Sequence, residues 1–176
     1  TAASLAKGKI LIILDDDISF GHTQAFENLI KTLEENPDIA MAGVSNQIPE
    51  SASWFVKRVM KELPRKDSAL VDTITDSDMA EHPCCAIPKR IFYAIGGERE
   101  DIIRGLDPYL RYKIRSLGYR VVVIPNTWIS HLPPKTFSGF VRYAFRNGSA
   151  SGINRRISKE IPIETPDGHV SDFVAK

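Results

Sequence analysis

Apolar residues fall in short blocks along this chain, and the spacing inside each block predicts its element. Lys9 leads into Ile10-Leu11-Ile12-Ile13-Leu14, five apolar residues in a row. A run without alternation predicts a strand covered on both faces. It passes straight into Asp15-Asp16-Asp17. Ahead of it, Ala2, Ala3, Leu5 and Ala6 predict the end of a helix stopped by Gly8. Phe26, Leu29, Ile30 and Leu33 recur at helical spacing and predict an amphipathic helix ending near Asn36-Pro37. A second short strand is predicted over Ile39 to Val44.

Residues 46–81 are less regular and read as a surface excursion of variable function. Within them, Trp54, Phe55, Met60 and Leu63 predict a helix closed by Pro64, and Leu70 to Ile74 an edge strand. Asp76, Asp78 and Glu81 mark an acidic loop. Cys84 to Ile87 predicts a strand, and Ile91 to Ile95 a brief helix ending at Gly96-Gly97. Asp107-Pro108 opens a helix with Leu110, Ile114 and Leu117 on one face and Gly118 as its stop. Tyr119 to Ile124 is a β-branched strand, and Thr127 to Ser130 a separate extended piece ending at His131. Phe137, Phe140, Val141, Ala144 and Phe145 predict a last helix. The expected division is a domain over 1–148 and a partly flexible tail over 149–176, rich in Gly, Ser and Arg and then Pro.

Composition narrows the class. A chain of 176 residues suits one domain with a real core. With 43% hydrophobic and 26% charged residues, collagen-like, coiled-coil and wholly disordered readings are excluded. A net charge of +1 argues against coating nucleic acid. Cys84 and Cys85 are adjacent, which makes neither a disulfide framework nor a spaced zinc site, and they read as small buried packing. No apolar run approaches the roughly 20 residues of a membrane span, and no signal peptide is visible. The expected location is the cytoplasm, with peripheral attachment at a membrane surface as the alternative.

Candidate chemistry begins with the acidic triplet. Ligands of open α/β sheets bind beyond the carboxyl ends of strands. Three acids there repel one another unless a cation compensates them, and Mg²⁺ or Mn²⁺ bridges carboxylates to substrate phosphates. The ordinary alternative is a solvated turn, or Asp17 or Ser19 capping the next helix. His131, before Leu-Pro-Pro, offers an imidazole as a third ligand, or is simply a hydrogen-bonded histidine. Asp107 reads as a helix N-cap and, at the helix mouth, as a general base. Arg142, Arg146, Arg155 and Arg156 form a basic group that suits a diphosphate, an anionic lipid surface or plain solvent.

The ordered set resembles the family 2 glycosyltransferases of the GT-A fold. The resemblance lies in Gly-Lys-Ile-Leu-Ile-Ile-Leu-Asp-Asp-Asp, Pro-Asp-Ile-Ala-Met-Ala-Gly-Val and Cys-Cys-Ala-Ile-Pro-Lys-Arg-Ile-Phe-Tyr-Ala-Ile-Gly-Gly. Asp107 then leads its helix, followed by Leu-Gly-Tyr-Arg-Val-Val-Val-Ile-Pro and the late Ser-His. It covers about residues 1–148. It implies an α/β fold with a GT-A-like, Rossmann-related, mostly parallel mixed sheet flanked by helices. The strands that hold the nucleotide base in that family precede the D-x-D strand and have no counterpart here. The chain is therefore expected to be the C-terminal portion of a catalytic domain, which alone need not be active and whose exposed sheet edge could self-associate.

The same resemblance implies roles. Asp15 and Asp17 match the D-x-D motif that holds the metal on the donor's diphosphate, and His131 matches the late His that completes the metal site. Asp107 matches the Asp of the Glu-Asp pair, the general base toward the acceptor hydroxyl; the Glu is Leu106 here. Asp16 is expected on sugar or ribose hydroxyls, Gly96 and Gly97 at a close backbone approach to substrate, and Arg142 and Arg146 on the diphosphate. The implied reaction is metal-dependent, inverting transfer from a nucleotide-diphosphate sugar to a glycan, lipid or other hydroxyl acceptor. The rival enzyme is a haloacid-dehalogenase-type phosphatase, with Asp15 as nucleophile and Asp17 as acid/base. It needs a later acidic pair at a strand end, and Ile124-Pro125-Asn126 has none. The third reading is a truncated, non-catalytic binding domain.

Overall fold

The computed structural model describes residues 2–21, 23–63, 67–102 and 106–157. Its strands are β1 (Ile10–Leu14), β2 (Ile18–Phe20), β3 (Ile39–Asn46), β4 (Thr75–Asp76), β5 (Cys84–Pro88) and β6 (Arg120–His131). Its helices are α1 (Ala2–Leu5), α2 (Ala25–Glu35), α3 (Trp54–Glu62), α4 (Lys89–Ala94), α5 (Leu106–Ser116) and α6 (Phe137–Ile157). The strands form one mixed sheet in the order β1-β5-β3-β6-β2, with β4 also on β6.

Alternation along β5 shows how the layers divide. Cys85 and Ile87 face a core with Ile91 and Phe92 of α4 and Leu110 and Ile114 of α5. Cys84 and Ala86 face the opposite core, with Leu29 and Leu33 of α2. Both cysteines are free and buried, as their small-packing reading expects. Burial pushes the Cys84 thiol up to about 12 and holds Cys85 well above its ordinary value, so neither is a nucleophile at neutral pH.

The sheet is mixed, but it is not mostly parallel. Among the described residues, only β3 and β6 pair in parallel. The β1–β5, β3–β5, β2–β6 and β4–β6 pairs are antiparallel. β1, β3 and β6 do share a direction, as buried apolar strands suggest. β5 inserts between β1 and β3 in the opposite sense and breaks the parallel run.

The expected apolar cover on both faces of β1 is present. Leu11 and Ile13 pack on one apolar layer and Ile10 and Ile12 on the other. Yet β1 has one neighbouring strand among the described residues, only its Leu11 is buried, and Leu14 is 43% exposed. The most deeply buried strand is β3, all eight of whose residues are buried. An apolar run reports what lies above and below a strand, not what lies beside it.

Other elements also differ from expectation. No strand forms at Leu70–Ile74; the short strand is Thr75–Asp76, paired to Val123 and Val122. The acidic loop is tied into the structure by ion pairs: Asp76 to Arg120, and Asp78 to Arg115. Arg111, 1% exposed, donates from Nη1 to the carbonyl of Ala80 at 2.9 Å. Gly43 of β3 leaves no room for a side chain there, since a Cβ would stand 2.4 Å from the Ala80 Cα. The strap over residues 77–82 is thereby pressed onto β3 and α5. α3 starts as predicted, with the Ser53 side chain accepting from the Val56 N–H, while Pro64 lies outside the described residues.

β6 is one strand of 12 residues, not two pieces. Its pairing with β3 jumps from Gly43↔Val123 to Ser45↔Trp128, so β6 advances five residues while β3 advances two. The excess is absorbed around Pro125 and Asn126, the latter at φ 49°. A bulge of this kind bends a strand and sharpens its twist. α6 continues through the Gly- and Ser-rich stretch after residue 148 to Ile157; residues 158–176 lie outside the described residues.

Candidate functional site

The connection from β1 to β2 dictates the shape of the site. These strands lie at opposite edges of the sheet, yet only Asp15, Asp16 and Asp17 join them. Four residue steps reach at most about 14 Å, whereas four strand spacings in a flat sheet amount to about 19 Å. The link closes only because the sheet curls at this end, where the β6 bulge bends the strand that carries β2. The curl brings Ile18 opposite His131. It also places the end of β6 over the aspartates that follow β1.

As a result, ligand atoms of Asp15, Asp17 and His131 all lie within 4.8 Å of one another. His131 Nε2 is 3.1 Å from Asp17 Oδ1 and 3.9 Å from Asp15 Oδ2. Asn46, at the end of β3, accepts the His131 backbone N–H on its Oδ1 at 3.0 Å, and the Ser130 hydroxyl donates to the Gln47 carbonyl at 2.9 Å. These bonds tie the imidazole's backbone to the rigid central strand. Two carboxylates and one imidazole within a few ångströms suit a divalent cation such as Mn²⁺ or Mg²⁺. A cavity of about 470 Å³ opens beside them, lined by Asp17, Ser19, His131, Pro134, Lys135 and Tyr143 among others.

A second polar cluster stands at the same end. β5 runs opposite to β1, so its first residues adjoin the last of β1, and the Asp15 N–H reaches the Pro83 carbonyl at 3.4 Å. Just before Pro83, His82 meets Asp107. Its backbone N–H donates to Asp107 Oδ1 at 2.5 Å, and its ring Nδ1 lies 2.5 Å from the same oxygen. Its Nε2 lies 2.9 Å from Glu98 Oε1. Asp107 sits inside the first turn of α5, one residue past its start at Leu106, rather than at the N-cap.

Burial disfavours the His82 imidazolium, but hydrogen bonds to Asp107 and Glu98 and the charges of both carboxylates outweigh it and raise His82 to about 10. Burial likewise works against the Asp107 carboxylate. The His82 hydrogen bond and charge, helped by Arg111, outweigh it and hold Asp107 below its ordinary range. The hydrogen bond from His82 lowers Glu98. His82 therefore contributes stability that is complete below its ordinary value of 6.5 and lost as pH rises toward 10. Asp107 and Glu98 contribute above their ordinary values of 3.8 and 4.5 and lose it as pH falls. The melting-temperature difference between wild type and His82→Asn is expected to be largest near pH 6 and to shrink toward pH 10. Thermal denaturation across that range checks it; a constant difference would mean that His82 is not charged in the fold.

The remaining expected site residues are more dispersed. Asp16 is exposed on the turn, outside the group of three. Gly96 and Gly97, both at positive φ, end α4 and line a cavity of about 530 Å³ beside β1 with Glu98, Tyr93 and α1. Arg142 and Arg146 are exposed on α6, and the side chains of Arg155 and Arg156 lie outside the described residues. Sequence reasoning missed His82, Glu98 and Asn46. His82-Pro83 directly before an apolar strand was the available signal for the first; nothing local marks Glu98 or Asn46, which act through partners far along the chain.

No family model matches the chain, and no curated protein matches it. Among solved structures, it is similar to the mannosyltransferase PcManGT from Pyrobaculum calidifontis in complex with GDP-Man and Mn²⁺, with a TM-score of 0.59 at 18% identity. The match covers 89% of this chain and 42% of that one, so the chain spans less than half the length of this neighbour. At that identity the likeness is one of fold: a mixed sheet flanked by helices, in an arrangement shared with a glycosyltransferase.

Proposed function

We propose that this chain is the metal-binding and base-bearing part of a GT-A-type glycosyltransferase. In this reading it moves a sugar, with inversion, from a nucleotide-diphosphate sugar to an acceptor hydroxyl. The observation that carries the reading is the convergence of Asp15, Asp17 and His131 at the sheet end that also holds Asp107. The solved neighbour's GDP-Man and Mn²⁺ agree with it.

Asp15, Asp17 and His131 would hold the cation, Mn²⁺ or Mg²⁺. When bound, it supplies positive charge against the negative charge growing on the leaving diphosphate. Asn46 keeps the His131 backbone in place. Asp107 takes the proton of the acceptor hydroxyl as that oxygen bonds to the anomeric carbon, and the bond from that carbon to the diphosphate breaks with its electron pair. General-base assistance of this kind is worth typically ~10²–10⁴-fold. Gly96 and Gly97, without side chains, leave the backbone open to substrate beside Glu98.

The group joined to the two aspartates is an imidazole, where the phosphatase reading needs further acids. The test is incubation of the complete protein that carries this chain with a panel of nucleotide-diphosphate sugars and Mn²⁺, following nucleoside-diphosphate release and the anomeric configuration of the product by NMR. Release that EDTA abolishes, with an inverted product, is expected. Hydrolysis of an aryl phosphate without sugar transfer would replace this reading with the phosphatase.

A further inference from the structure

His82 has a carboxylate at each ring nitrogen. Its backbone N–H and ring Nδ1 converge on a single oxygen, Asp107 Oδ1. Neither of these contacts uses Oδ2. The strap carrying His82 is itself anchored: Arg111 holds the Ala80 carbonyl, and the Cys84 N–H closes a turn onto the Glu81 carbonyl at 3.2 Å. Pro83 then locks the exit into β5.

We propose that His82 is a positioning residue for Asp107: it grips Oδ1 from two donors so that Oδ2 alone accepts the acceptor's proton, while Glu98 at Nε2 fixes the ring in that orientation. This rests on the reading of Asp107 as the general base. The groups facing Asp107 are His82 from the strap, Glu98 after α4, Arg111 from α5 itself and the protonated Cys85 thiol from β5. His82 and Arg111 are cationic and keep the carboxylate ionised to low pH. Its basicity is modest in consequence, so its rate contribution depends on alignment.

His82→Ala and His82→Asn test this, because the asparagine amide can donate where Nδ1 stood but carries no charge. Both are expected to move the acid limb of the kcat/KM–pH profile upward by about one unit or more, as loss of an adjacent opposite charge does. His82→Ala is expected to lower kcat on the order of 10²-fold with the donor KM little changed. His82→Asn is expected to recover part of that loss. An unmoved acid limb, or an effect confined to KM, overturns the proposal.

A ¹³C NMR titration of the Asp107 carboxyl in wild type and His82→Asn needs no turnover. An equal midpoint in the two proteins overturns the coupling even if transfer is observed. A raised midpoint in a protein without transfer activity leaves the coupling standing and removes the base reading instead. Should His82→Ala fail to fold by circular dichroism, His82→Asn carries both measurements.

Discussion

Replacing Asp17 by alanine in the complete protein is expected to abolish measurable sugar transfer and to weaken Mn²⁺ binding. Asp17 supplies the oxygen nearest to His131 Nε2, at 3.1 Å, and lies on the wall of the adjoining cavity. Its removal leaves Asp15 and His131 3.9 Å apart as the rest of the group. One carboxylate and one imidazole make a poor site for a hard cation that wants several oxygens. A cation stabilises transition-state charge by several kcal/mol, so a loss on the order of 10³-fold in rate follows. Asp17 is 64% exposed, so the variant is expected to fold with unchanged thermal stability. Isothermal titration with Mn²⁺ and the transfer assay check the two halves. Normal Mn²⁺ affinity in Asp17→Ala would remove the metal site from the mechanism.

The second large effect is at Asp107. Asp107→Asn keeps the shape of the side chain and removes its ability to take a proton. A loss of ~10²–10⁴-fold in kcat is expected, with little change in the donor KM, because no contact to the donor is assigned to Asp107. The variant also leaves His82 facing a neutral amide and Glu98 alone. His82 should then titrate lower than about 10, and its NMR titration reports that the mutation acted where intended. Turnover near wild type would show that the proton leaves the acceptor by another route.

Much of the chain was legible before folding. The helical spacing at Phe26, Leu29, Ile30 and Leu33 recovered α2, and Gly96, Gly97 and Gly118 marked helix ends that do adopt positive φ. These features are local: a helix face or a left-handed residue is written within a few positions. The errors arose where the answer lay in a neighbour. The Ile10–Leu14 run rightly signals apolar cover on both faces, but says nothing of what sits beside the strand, β5 on one side and no described strand on the other. Tyr119–Ile124 and Thr127–Ser130 look like two pieces because Pro125-Asn126 reads as a break. In the sheet the same residues form a bulge that β3 bridges.

The candidate site divides along the same line. The sequence by itself determined the donors: three aspartates after an apolar strand, a histidine before Leu-Pro-Pro, and an aspartate at a helix start. Those are properties of residue type and local punctuation. The tertiary structure alone decided which of them meet. A three-residue link between opposite edges requires a curled sheet, and the curl places His131 on Asp15 and Asp17 while Asp16 stays outside. The antiparallel insertion of β5 sets His82 beside the end of β1 and against Asp107, 25 residues away in sequence. Strand order and bend are long-range properties, because each strand takes its place from the surfaces its partners leave open.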